Sequence, residues 1–168
     1  KITSELELLW YLKSNLSLKA EIQYVDANGW LLHQEGKDFT TFNAQKWQPE
    51  FKVNYFINAK QQLSLNFQWV GIQAIEEKFY LLNSDSLNLD EVFKPDDIND
   101  SDNFSISQLN IQLRYRWQIA PLSDFYIVAT KTGSSRSMLT SFNELYEDIM
   151  DNPMSDQIIM KLRYRFGS

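Results

Sequence analysis

The sequence predicts an all-β protein: an antiparallel up-and-down transmembrane β-barrel segment of about seven to eight strands. It would carry long extracellular loops and one short helix near residues 141–150. Three observations lead there. Apolar and polar residues alternate with period two along most of the 168 residues. The connections between the alternating stretches are short and long by turns. In the last stretch, Ile158, Met160, Leu162, Tyr164 and Phe166 share one face, while Gln157, Lys161, Arg163 and Arg165 mostly occupy the other. An apolar stripe ending in an aromatic, opposite a row of charges, suits a wall with lipid outside and water inside.

The elements follow in order. A weakly patterned strand covers Leu6, Leu8, Trp10 and Leu12. The next sets Leu16, Leu18, Ala20, Ile22 and Tyr24 against Ser17, Lys19, Glu21 and Gln23. Phe51, Val53, Tyr55 and Ile57 then alternate with Lys52, Asn54, Phe56 and Asn58, and Leu63, Leu65, Phe67 and Trp69 with Gln62, Ser64, Asn66 and Gln68. The cleanest strand places Leu109, Ile111, Leu113, Tyr115 and Trp117 opposite Gln108, Asn110, Gln112, Arg114, Arg116 and Gln118. Residues 125–130 and the terminal stretch complete seven. Phe142, Leu145, Tyr146 and Ile149 recur at helical spacing, with Ser141 as the N-cap. That helix is expected to pack over the extracellular mouth.

Short turns are expected at 14–15, 58–61 and 120–124, and long polar segments at 26–46, 82–103 and 131–155. Membrane barrels have short periplasmic turns and longer outer loops, and every connection here fits that assignment. Pro121 cannot donate to a ladder and belongs outside the paired region. Ser123 and Asp124 are suited to bonding nearby amides and closing the reversal. Seven strands is an odd number, whereas single-chain bacterial barrels generally use an even one. An open edge in lipid would leave backbone groups unpaired. Residues 1–168 therefore read as one domain, the C-terminal portion of a larger outer-membrane barrel. An eighth strand could come from residues 30–34 of the first long loop. The start at Lys1, without Met or signal peptide, is read as truncation.

Composition narrows the classes. No run of about eighteen apolar residues exists, so a transmembrane helix is excluded. Barrel strands alternate, which is compatible with a mean hydropathy of -0.40. The net charge of -6 argues against nucleic acid as a partner. The absence of cysteine removes disulfides and thiolate metal sites.

Few residues suggest chemistry. His33 is the only histidine and falls in an expected loop, so neither a His-rich metal site nor a Ser-His relay is built on it. Asp96, Asp97, Asn99, Asp100 and Asp102 cluster in one long segment and could offer oxygens to calcium, but the glycine and distal Glu of an EF-hand loop are missing. A solvated acidic loop is the preferred reading, with no metal or cofactor expected. Arg114, Arg116, Arg163 and Arg165 should all face the lumen. They would either bond lumen carboxylates such as Glu5, Glu7 and Glu21 or form a cationic constriction. Trp10, Tyr115, Trp117, Tyr164 and Phe166 are the candidate membrane-interface aromatics.

The terminal strand resembles that of bacterial outer-membrane β-barrels, in which a near-terminal Phe belongs to the insertion signal. Three stretches carry a further resemblance: Gln68 to Ala74, Gln112 to Asp124, and Lys161 to Phe166. In that order they resemble the C-terminal barrel domain, of unknown function, of Gram-negative proteins with an N-terminal carbohydrate-binding-module-family-9-like domain. One departure is Lys131, within the stretch 129–133, where relatives tend to have arginine. The resemblance implies an outer-membrane location, contact with outer-membrane lipid, and the barrel-assembly machinery as a partner during insertion. It also brings in carbohydrate as a candidate ligand. The expected role is non-enzymatic transport or surface binding of a small solute. The alternative is a soluble all-β glycan-binding module using Trp30, Trp47 or Trp69.

Overall fold

The computed structural model describes residues 1–94, 101–138 and 141–166. They form one antiparallel sheet of eight strands and one helix. The strands are β1 (Ile2–Lys13), β2 (Leu16–His33), β3 (Asp38–Asn58), β4 (Gln61–Leu82), β5 (Leu89–Val92), β6 (Phe104–Ala120), β7 (Ser123–Ser137) and β8 (Ser155–Arg163), with α1 (Phe142–Asp151) before β8. The sheet order is β1-β2-β3-β4-β6-β7-β8, and β5 pairs with the outer end of β4. Two-residue turns at 14–15, 59–60 and 121–122 join neighbours at one end.

The first segment expected as a long loop is mostly strand, and the third begins as strand. β2 and β3 run on to a tight turn at 34–37, where Gly36 takes a positive φ of 56°. Residues 30–34 are therefore no separate eighth strand; residues 30–33 end β2, and the additional strand is β5. β7 likewise continues to Ser137. The alternation fades in these extensions because the register shifts between Ala27 and Trp30, and again between Thr41 and Phe42. Each bulge moves the following side chains to the other face.

Registers align the apolar stripes across the sheet. Trp10, Leu18, Val53, Leu65, Leu113, Ala129 and Ile158 form one continuous row. Toward the short turns follow Leu16, Tyr55, Leu63, Tyr115, Ile127 and Met160. In the other direction, Tyr24 and Trp47 pair across β2 and β3, their rings 4.9 Å apart. Successive residues of each strand face opposite sides, so most amides and charges line the second face, whereas Lys131 and Asp156 share the row of Ile111 on the apolar face, where Lys131 donates to the Met150 carbonyl of α1 at 3.1 Å.

The helix is not over the rim. It packs on the apolar face, burying Leu145 and Ile149 against Trp69 and Leu109. Two glycines admit it: a Cβ on Gly71 would stand 3.0 Å from Phe142, and one on Gly133 would stand 2.8 Å from Ile149. The Trp69 indole donates to Ser107 Oγ at 2.9 Å, and that hydroxyl donates to the Leu145 carbonyl at 3.0 Å. Ser141 occupies the N-cap, but its side chain makes no capping hydrogen bond. A second cluster, Phe42, Ala44, Ala74 and Phe104, lies on the polar face at its outer end.

The sheet is not closed: β1 and β8 are its edges. β1 runs into the 14–15 turn, and β8 returns from the outer end through α1, so both edges point toward the short-turn end. Pairing them with each other would be parallel in an otherwise antiparallel sheet.

Candidate functional site

The polar face near the short turns holds the sequence-predicted arginines. Registers place Arg114 opposite Val128, Arg116 opposite Tyr126, and Asp124 opposite Arg163, all on that face. Arg116 donates to Asp124 Oδ1 from Nε at 3.1 Å and from Nη2 at 3.0 Å, while Arg163 bonds the other carboxylate oxygen. Asp124 is only 1% exposed. Ser123, equally buried, accepts the Arg165 backbone N–H at 3.0 Å. Ser123 and Asp124 thus fasten the end of β8 instead of closing their own turn. The reversal itself is made by Pro121 and by Leu122 at φ 58°.

The expected glutamate partners are elsewhere. Glu7 and Glu21 both pair with Lys19, each at 3.0 Å, and no ion pair links Glu5, Glu7 or Glu21 to the arginines among the described residues. Sequence reasoning assigned Asp124 to closing the Pro-containing turn and missed it as the partner of Arg116 and Arg163. Its register opposite Arg163 exists only after β8 pairs. Arg114 donates to Gln112 Oε1 at 3.0 Å. It also lines two open clefts. One, of about 390 Å³, contains Asn54, Ser64, Asn66 and Gln112; the other, of about 410 Å³, contains Tyr126, Ile159, Lys161 and Arg163.

The remaining candidates separate. Tyr115 and Trp117 lie at the short-turn end of the apolar face, joined by Tyr55 and Phe125, which the sequence reading did not single out. Tyr164 and Phe166 contact each other just beyond β8, at 5.0 Å. Trp10 sits one row further in, opposite Leu18. Trp69 is covered by α1, and Trp30 lies on the opposite face against Phe104, so Trp30, Trp47 and Trp69 share no single platform. His33 ends β2, its Nε2 3.0 Å from the Gly36 carbonyl across the outer turn. Asp96, Asp97, Asn99 and Asp100 lie outside the described residues. Asp102 accepts the Thr40 hydroxyl at 2.8 Å, and its own N–H donates to Glu76. Among the described residues, no group of three or more His, Asp or Glu is placed to hold a metal, and no helix is long and apolar enough to cross a membrane.

These features define an all-β protein built on one long, two-faced antiparallel sheet with a single docked helix. The family described as a domain of unknown function (DUF5916) matches residues 1–166, and the chain belongs to that family. No curated protein and no solved structure matches the chain.

Proposed function

We propose that this sheet is part of an outer-membrane β-barrel of a Gram-negative bacterium, its apolar face toward lipid and its polar face lining a wet lumen. The proposed role is non-enzymatic transport or surface binding of a small solute. One observation carries the reading: aromatic levels stand at both ends of the apolar face, and the rows between them are apolar from β1 to β6, with Lys131 and Asp156 interrupting one of them on β7 and β8. Trp47 stands at the outer level beside Tyr24, and Tyr55 stands at the inner level with Tyr115. The span from Trp47 to Tyr55 on β3 is nine residues, about 27 Å along a strand at ~3.4 Å per residue. A tilted membrane strand needs about 9–11. The open, codirectional edges support completion by further strands, at least one running outward between β8 and β1. The sugar-binding companion domain implied by the resemblance fits capture of carbohydrate.

Single-tryptophan variants in vesicles of brominated lipid test the location. Trp117, 40% exposed on the apolar face, should be strongly quenched, whereas Trp30 on the polar face should not. Equal quenching of the two would refute the proposal. The soluble-module reading has one observation in its favour, since α1 covers part of the apolar face. A monomer that stays dispersed without detergent would decide for it.

A further inference from the structure

The charge on the polar face runs against that of the whole chain. The protein has a net charge of -6, yet on β6, β7 and β8 this face carries Arg114, Arg116, Arg136, Lys161 and Arg163 against the single carboxylate of Asp124. That carboxylate is committed to Arg116 and Arg163. Arg114 and Lys161 have no carboxylate partner among the described residues. A guanidinium offers five donors, and the one side-chain bond Arg114 makes is to Gln112.

The surroundings of Arg114 differ on its two sides, with apolar and basic side chains toward β7 and β8 and mainly amides and hydroxyls toward β3 and β4. On its β3–β4 side the cleft is lined by the amides and hydroxyl of Asn54, Gln62, Ser64 and Asn66, together with Leu65 and with Lys52, which pairs with Glu50. Side-chain amides both donate and accept, as hydroxyl groups do, so such a row matches a polyhydroxylated body. A guanidinium fork matches a carboxylate in two parallel bonds.

We propose that Arg114 and the amide row beside it form a binding site for a hydroxylated carboxylate of the sugar-acid class. Arg114 takes the carboxylate, Asn54, Gln62 and Ser64 take the hydroxyl groups, and Lys161 adds attraction from the β8 side. The inference rests on the polar face being open to water and does not require lipid on the other side. Its failure would therefore leave the quenching result untouched, and the reverse also holds.

Titration of the purified protein with D-glucuronate, glucose and acetate tests it. Glucuronate should bind in the millimolar range, with glucose and acetate each weaker by about ten-fold. Arg114→Gln should weaken glucuronate by about ten-fold, and Arg114→Lys should weaken it less. Asn54→Ala should weaken glucuronate while leaving acetate unchanged. Arg136→Gln, at the outer end where Arg136 lies over the Phe104 ring, should change nothing. The unaltered protein decides the matter even if a variant misfolds. No glucuronate binding, or glucose or acetate binding as tightly as glucuronate, overturns the proposal. So does a folded Arg114→Gln protein that binds as before.

Discussion

The seat of α1 on the sheet gives a prediction with a defined sign. A methyl group added at Gly133 would lie 2.8 Å from Ile149 Cδ1 and 2.9 Å from its Cγ1. Ile149 is 1% exposed and β-branched, so it has little room to turn away. Overpacking of this kind costs roughly 1–3 kcal/mol, and replacing a strand glycine returns about 0.5–1 kcal/mol. Gly133→Ala should therefore weaken α1 docking by about 1–2 kcal/mol net. Ile149→Ala alone should cost more, roughly 2–4 kcal/mol, by emptying a filled site. In the Ile149→Ala background the new methyl has space, so Gly133→Ala should become neutral or stabilising, a strongly non-additive cycle. Amide hydrogen exchange at Leu145 and Ile149 measures the opening of the helix. Emission of Trp69, with the other tryptophans replaced by Phe, reports its departure. If Gly133→Ala costs the same with and without the Ile149 side chain, α1 does not sit where the geometry puts it.

Two further outcomes follow from the 121–122 turn and the residues after it. Leu122 holds φ at 58°, a region that costs a non-glycine residue about 1 kcal/mol; Leu122→Gly should raise the denaturation midpoint slightly, and a clear fall would refute strain at that position. Asp124→Asn removes the charge shared by Arg116 and Arg163, so amides of Leu162 and Arg163 should exchange faster while β1 to β4 keep their protection. A uniform change across the sheet would count against Asp124 as a local fastening for β8.

Wherever one face of a strand stays apolar, the sequence was readable. The stripe from Leu109 to Trp117 places β6 unaided, and the turns at 14–15 and 121–122 fall where polar or Pro-containing residues interrupt it. The outer halves were not readable in the same way. Bulges near Ala27 and Thr41 reset the phase, and Ser, Thr and Gln occupy both faces, so no period survives to be counted. The helix was recognisable from its apolar spacing, but its location was not. Phe142, Leu145 and Ile149 announce that one side must be covered, without naming the surface that Gly71 and Gly133 leave free.

The arginines divide along the same line. Alternation by itself determined that Arg114, Arg116 and Arg163 fall on the polar side of their strands, because successive side chains in a strand must point oppositely, whereas Arg165 lies beyond the end of β8. Only the tertiary structure decided their partners. The β7–β8 register sets Arg163 against Asp124, across 39 residues of sequence, and Arg116 reaches the same carboxylate from β6. The long-range pairing also leaves Arg114 beside an amide row contributed by β3 and β4. Local pattern fixes the side on which a residue lies, whereas its neighbour depends on strand order and register, which arise only when distant segments pair.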